Sequence, residues 1–314
     1  MRILITGATG FVGRHLVEQL SDEHEVVALV RQTTAHLASA KIRVVENIGP
    51  GTDWTGVLED VDAVVHLAAR VHVMEESAAD PLAAFRETNT EGTRVLAEEA
   101  ANQGVKRFVF MSSIKVNGEG TNGNPYTAND VPAPVDPYGI SKWEAERALT
   151  EISGRTEMGC VILRPTVIYG AGVKGNIARI AKAVRMGIPL PLGLVRNRRS
   201  MLSIGNLVAW VREALNSQAV PTNPVLISDP RPVSTRDLVI NIADGMGAKP
   251  RILPVPVGLM TVGATLIGKR SFAVRLFSDL EVEPTYAAFP RMRYLLVSPE
   301  VELRSFGLSM RSGE

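Results

Sequence analysis

Residues 3–13, Ile3-Leu-Ile-Thr-Gly7-Ala-Thr-Gly10-Phe-Val-Gly13, decide the reading of this chain. An apolar run of strand character breaks into three glycines spaced three apart, and Val12, Leu16, Val17 and Leu20 then recur at helical spacing. A strand that turns into a helix in this way can wrap a dinucleotide pyrophosphate. Gly7 permits the tight turn, Gly10 lets the phosphates approach the backbone, and Gly13 lets helix and strand pack closely. The spacing is Gly-x-x-Gly-x-x-Gly, not the Gly-x-Gly-x-x-Gly of most dehydrogenases.

Further strand-like runs follow at 26–30, 44–45, 63–67, 108–112 and 161–164, with helical patterns at 11–21, 81–103 and 137–152. Buried strands alternating with helices predict an α/β fold, a Rossmann-like doubly wound parallel sheet. After Pro165 the pattern changes. A glycine-rich 169–175, a basic 196–199, a strand-like 224–228 and helical patterns near 205–216, 234–246 and 256–268 predict a smaller C-terminal substrate-binding lobe. The expected division is a dinucleotide-binding domain over 1–168, to which part of 203–230 returns, and a lobe built mostly from 169–314. Ligands of such sheets lie beyond the carboxyl ends of the strands, so the loops after residues 6, 30, 67, 112 and 164 should face the site.

Composition narrows the classes. With 314 residues, 45% of them hydrophobic, the chain can bury a large core. Its 34 Lys and Arg nearly balance 33 Asp and Glu, which argues against a nucleic-acid partner. A lone cysteine, Cys160, fits a reducing, cytoplasmic setting, and five histidines without metal-ligand spacing predict no metal site. Arg2 followed at once by a core strand is unlike a signal peptide. The most apolar later stretch, 252–267, is too short to span a bilayer and carries Pro254, Pro256, Gly258 and Gly263. It reads as a packed helix that could touch a membrane or a partner.

Two observations bear on the chemistry. An acid about 20 residues after the glycines normally holds the adenine ribose of NAD, but none stands between Val26 and His36, and Arg31 is placed to clasp a 2′-phosphate. NADP(H) is therefore preferred, with NAD(H) possible. Tyr138 and Lys142, in Asp-Pro-Tyr-Gly-Ile-Ser-Lys, stand four apart at a helix start and share one face. Hydride transfer to a carbonyl needs a proton donor, and a lysine cation beside a phenol favours the phenolate, typically by about 1 to 3 pKa units. Ser113, where a strand ends in Ser-Ser, can hydrogen-bond the reacting oxygen.

With these motifs the chain resembles the extended short-chain dehydrogenase/reductases of the nucleotide-sugar epimerase/dehydratase family. His66-Leu-Ala-Ala, Asn89 in Thr-Asn-Thr-Glu-Gly-Thr, Leu163-Arg-Pro and Ile168-Tyr-Gly add to the likeness. The resemblance implies catalysis by Ser113, Tyr138 and Lys142. It implies a cofactor groove of Gly7, Thr9, Gly10, Phe11, Val12, Gly13, Arg31, Asn47, Ile48, Leu67, Ala68 and Ala69, with Tyr138 and Lys142 also touching the cofactor. Pro165 and Thr166 would lie by the nicotinamide amide, and Asn89 would be a structural or near-site residue of that groove. Substrate contacts would come from Ser113, Asn176, Arg199 and Arg275, the arginines holding a nucleotide diphosphate, and the assembly would be a homodimer. Members that eliminate water carry Asp-Glu directly after the active-site hydroxyl; here Ile114 and Lys115 stand there, which disfavours dehydration. Arg31, together with Ser-Ser-Ile-Lys-Val-Asn-Gly-Glu and Pro-Leu-Pro-Leu-Gly at 189–193, resembles 4-ketoreductases of surface-polysaccharide biosynthesis, acting on UDP-4-keto-6-deoxy-N-acetylhexosamines. A UDP-hexose 4-epimerase with tightly held NAD is the alternative, and a non-catalytic dinucleotide sensor a remote one.

Overall fold

The computed structural model describes residues 1–32, 37, 39–71, 80–266, 268 and 276–312. Seven parallel strands form the main sheet in the order β3-β2-β1-β4-β5-β6-β9. They are β1 Arg2–Thr6, β2 Glu25–Val30, β3 Lys41–Val44, β4 Ala63–His66, β5 Arg107–Met111, β6 Gly159–Pro165 and β9 Val225–Ile227. The order reverses between β1 and β4, so the crevice beyond Thr6 and His66 is the switch point at which such sheets bind ligands.

Alternation along β1 distributes the core. Ile3 and Ile5 face α1 (Phe11–Leu20) and α6 (Ile204–Asn216) through Leu16, Leu20, Leu207 and Trp210. Leu4 faces the opposite layer, α3 (Gly92–Asn102) and α4 (Pro137–Arg155), through Leu96, Ala100, Ala145 and Leu149. With both faces covered, the strands can be apolar without alternating polar residues. The third strand departs from expectation. It spans Lys41–Val44, where Val44–Val45 looked strand-like, because an edge strand with solvent-facing Lys41 and Arg43 has no apolar run to reveal it.

The expected helix at 81–103 also changes character. It runs as α2 (Pro81–Arg86), a π-helical turn at Glu87–Glu91 and α3, so Asn89 sits where the helix is locally widened. Both α6 and β9 belong to the sheet layer. The remainder makes a second core, in which α5 (Asn176–Arg185), α7 (Thr235–Met246) and the C-terminal helix Pro299–Ser312 enclose Ile177, Val184, Leu238, Ile242, Leu303 and Phe306. A two-stranded parallel sheet, β7 (Val167–Tyr169) and β8 (Met201–Ser203), joins the parts. The buried Asp229 carboxylate clamps that junction. It accepts from Ser203 N at 2.9 Å, Asn206 Nδ2 at 2.7 Å and the Tyr169 hydroxyl at 2.7 Å.

Candidate active site

The glycine turn has the geometry its spacing predicts. Gly7 has φ +68°, in the left-handed region, and a Cβ there would lie 2.8 Å from Ala68 N. At Gly13 a Cβ would lie 2.2 Å from Gly7 O, so only glycine lets α1 approach β1 this closely. Gly10 precedes α1 and no side chain among the described residues caps that helix, which leaves its first amides directed at the groove. The groove, about 690 Å³, is lined by Gly7, Thr9, Gly10, Phe11, Val12 and Gly13, and across from them by Arg31, Asn47, Ile48, Leu67, Ala68 and Ala69. Arg70, Val71 and Thr88, which sequence reasoning did not select, also line it.

Beneath this groove a hydrogen-bonded chain locks β1 to β4. Thr6 Oγ1 accepts from Leu67 N at 3.2 Å and Ala68 N at 3.1 Å, so its single proton goes to His66 Nδ1, 2.7 Å away. His66 Nε2 therefore carries the ring proton and donates to Thr93 Oγ1 at 2.9 Å. Burial, with the charge of Lys142 second, pushes the His66 pKa down to about 3, so the ring stays neutral. Asn89, expected near the cofactor, is fully buried. Its Oδ1 accepts from Arg70 N at 2.8 Å, and its Nδ2 donates to Arg70 O at 3.0 Å and Ser141 Oγ at 3.0 Å. Its amide is thus used up in tying the loop after β4 to α4, and it positions the groove wall without facing the groove.

A second cleft, about 340 Å³, brings together Ser113, Tyr138, Pro165, Thr166, Asn176 and Arg199. Each has a local cause. Ser113 follows β5 and accepts from Lys115 N, which starts a short 3-10 turn. Tyr138 opens α4, whose Asp136 cap accepts from Gly139 N at 2.7 Å and also pairs with Lys115. One turn on, Lys142 is 1% exposed, with its ammonium 4.2 Å from the centre of the Phe110 ring. Further along α4, Glu146 meets Arg164 at the end of β6 in a buried two-pronged pair, 2.9 and 2.6 Å, and also accepts from Ser112. That pair sets the register of α4 against β5 and β6.

The electrostatics differ from the simplest expectation. Burial pushes the Tyr138 phenol up to about 12, with the Asp136 charge adding and the Ser113 hydrogen bond opposing. The same enclosure pushes the Lys142 ammonium down to about 7, against a raising influence from Glu146. Desolvation therefore sets the direction for the phenol in the folded chain alone. Thr166, which lines this cleft, has a buried Oγ1 with no hydrogen-bond partner among the described residues. A glycine cradle, free helix amides and this orphan hydroxyl all fit a dinucleotide.

The basic doublet on the lobe divides. Arg198 turns outward to Glu281, at 2.8 Å, while Arg199 lines the cleft and is held by Ser278 O at 2.9 Å. Burial lowers the pKa of Arg199. Arg275 lies outside the described residues. Val233, Ser234, Leu238, Leu276 and Ile177 also line the wall; they come from segments far apart in sequence and carried no motif. Lys115 and Glu119 also line it, paired at 2.8 Å, and Lys115 stands at one of the two positions, with Ile114, where water-eliminating members carry acids. Among the described residues no cluster of His, Cys, Asp or Glu could hold a metal ion, and no helix is long and apolar enough to cross a membrane.

This sheet, glycine turn and Ser-Tyr-Lys set define a dinucleotide-dependent enzyme of the extended short-chain dehydrogenase/reductase class. The chain belongs to the NAD dependent epimerase/dehydratase family, whose sequence profile matches residues 3–226. It is 41% identical over 286 residues to a UDP-glucose 4-epimerase of Vibrio cholerae, covering 90% of this chain and 87% of that one. It is 29% identical over 265 residues to an N-acetyl-alpha-D-glucosaminyl-diphospho-ditrans,octacis-undecaprenol 4-epimerase of Escherichia coli O157:H7, covering 82% and 77%. The solved UDP-N-acetylglucosamine 4-epimerase of Bacillus cereus shares the fold with a TM-score of 0.79 at 22% identity, over 99% of both chains.

Proposed function

We propose that the protein interconverts the C4 epimers of a UDP-linked hexose or N-acetylhexosamine, working as a homodimer in the cytoplasm. The observation that carries this reading is the gathering, in one cleft, of the Ser113–Tyr138 hydroxyl pair with Asn176 and Arg199. The first two suit a sugar hydroxyl and the second two a diphosphate. Relatives named as 4-epimerases support it over the ketoreductase that Arg31 and the 189–193 motif favour.

A bound nicotinamide would supply the hydride acceptor and donor, and in its oxidised form a positive charge beside the phenol. Tyr138 Oη would accept the proton of a C4 hydroxyl and return it to the same oxygen. Ser113 Oγ hydrogen-bonds that oxygen and, through its bond to Tyr138, favours the phenolate. Lys142, enclosed on α4 one turn from Tyr138, would hold the nicotinamide ribose, and burial pushes its ammonium down to about 7. With Ile114 and Lys115 directly after Ser113, the two positions that carry an acid pair in water-eliminating members carry none, and the Glu119 carboxylate of this cleft is paired with Lys115.

Arg31, exposed at the end of β2 on the cofactor groove, supports a preference for NADP(H) and so keeps one competing reading in play, a reductase of a UDP-4-keto-6-deoxy-N-acetylhexosamine. Incubation with UDP-glucose and UDP-N-acetylglucosamine, without added cofactor, should yield the C4 epimers by chromatography and no net change in reduced-nicotinamide absorbance. In Tyr138→Phe turnover should fall at least about a hundredfold with dinucleotide affinity retained. Net NADPH consumption with a 4-keto-6-deoxy sugar, and no epimerisation, would overturn the proposal in favour of the reductase.

A further inference from the structure

The helix α8 (Val257–Leu266, VGLMTVGATL) has no charged residue and none that is fully buried. Val257 and Met260 pack against the core of the second lobe. Leu259, Val262 and Leu266, spaced three and four apart along one stripe, are 67%, 59% and 82% exposed. A helix that is apolar on both sides normally has apolar cover on both. The expectation of a packed helix at 252–267 is therefore met on one face only.

Exposed apolar side chains also stand ahead of the helix, at Leu253 and on the turn paired with it. Leu253 N donates to Leu190 O at 2.8 Å and Gly193 N to Leu253 O at 2.9 Å, which places the 188–194 turn alongside. That turn exposes Ile188 and Leu194. The chain segments that build this face carry charge of one sign. No acid occurs between Glu157 and Glu213, nor between Asp244 and Asp279, although the whole chain balances 34 basic against 33 acidic residues. Lys182 and Arg185 on α5, and Lys249 and Arg251 ahead of α8, are exposed.

We propose that α8 and the 188–194 turn dock the protein in the headgroup layer of an anionic phospholipid bilayer. Apolar side chains that lie in the interface plane, flanked by lysine and arginine, suit that surface. A second copy of this chain suits it less, because a two-fold contact through the same face would set Lys182, Arg185, Lys249 and Arg251 against their own counterparts. The cleft shares this lobe: Ile177 and Ile180 of α5 line the cleft and belong with Val257 and Met260 to one small core.

The full chain should co-float with vesicles containing roughly one part in three phosphatidylglycerol, and at least about tenfold less with phosphatidylcholine alone. Raising the salt to about 0.5 M, where screening acts within a few ångströms, should release it. In Leu259→Asp/Val262→Asp the flotation should fall more than about tenfold, with dinucleotide affinity and melting temperature kept. The proposal is overturned if the wild type binds neither vesicle or if the double variant floats as well as the wild type. It is equally overturned if the wild type is a dimer that this variant dissociates while neither floats. Vesicle binding is read without turnover, so this result stands apart from the fate of the epimerase reading.

Discussion

Replacing Lys142 by methionine should make the cofactor-free fold more stable while abolishing turnover. The ammonium is 1% exposed, and its pKa falls from the ordinary 10.5 to about 7. Between those values the unfolded chain binds a proton that the folded chain refuses, so wild-type stability rises with pH across that window. At pH 6 the full penalty applies, ~5 kcal/mol from a shift of this size. Contact with the Phe110 ring returns ~2 kcal/mol, and methionine fills a similar volume, so the expected gain is ~3 kcal/mol. The gain should shrink as pH climbs towards 10, where the unfolded lysine also loses its charge. Urea unfolding of cofactor-stripped protein at pH 6 and pH 9 measures both numbers. A variant no more stable than the wild type at pH 6, or an advantage that grows with pH, would refute the claim that Lys142 is a buried charge kept for chemistry at the expense of the fold.

Two further substitutions test the cofactor groove. Gly13→Ala places a Cβ 2.2 Å from Gly7 O and 2.7 Å from Ala8 Cα, both backbone, so α1 must move. Dinucleotide affinity should drop at least about tenfold, with a loss of roughly 2 kcal/mol or more in stability, read by cofactor titration and chemical denaturation. Arg31→Ala should weaken NADPH by roughly 10- to 150-fold and leave NADH within about twofold, since a charge-assisted bond to the 2′-phosphate is worth roughly 1.5 to 3 kcal/mol. Equal losses for both cofactors would assign Arg31 no part in the choice.

How much was legible in the sequence depended on how local the cause was. The turn at Gly7 is set by neighbours within the motif, and the Tyr138–Lys142 face by the helix period, so both could be read directly. Asn89 could not be placed, because its partners Arg70 and Ser141 lie 19 and 52 residues away and the π turn that aims it leaves no periodic signature. Nor could the charge state of Tyr138 be read. Neighbouring charges can be guessed from spacing, but desolvation belongs to the assembled site, and here it reverses the direction expected from Lys142.

The arginine doublet shows the same division at finer grain. Arg198 and Arg199 are adjacent and chemically identical, yet one is spent on Glu281 at the surface and the other lines the cleft. Extended backbone sends successive side chains to opposite sides, so a basic pair on such a segment offers only one member to any ligand. Which member is chosen is settled by pairing: Arg199 is bridged to Val233 and Leu280, and its guanidinium is held by Ser278 O, 79 residues along the chain. Being held before substrate arrives has a chemical consequence. The side chain has already given up most of the rotamer freedom that diphosphate binding would otherwise cost, and a half-desolvated cation attracts an anion more strongly than a solvated one. Arg199, the member proposed to hold the diphosphate, is thus distinguished from its neighbour by its pairing with Val233 and Leu280.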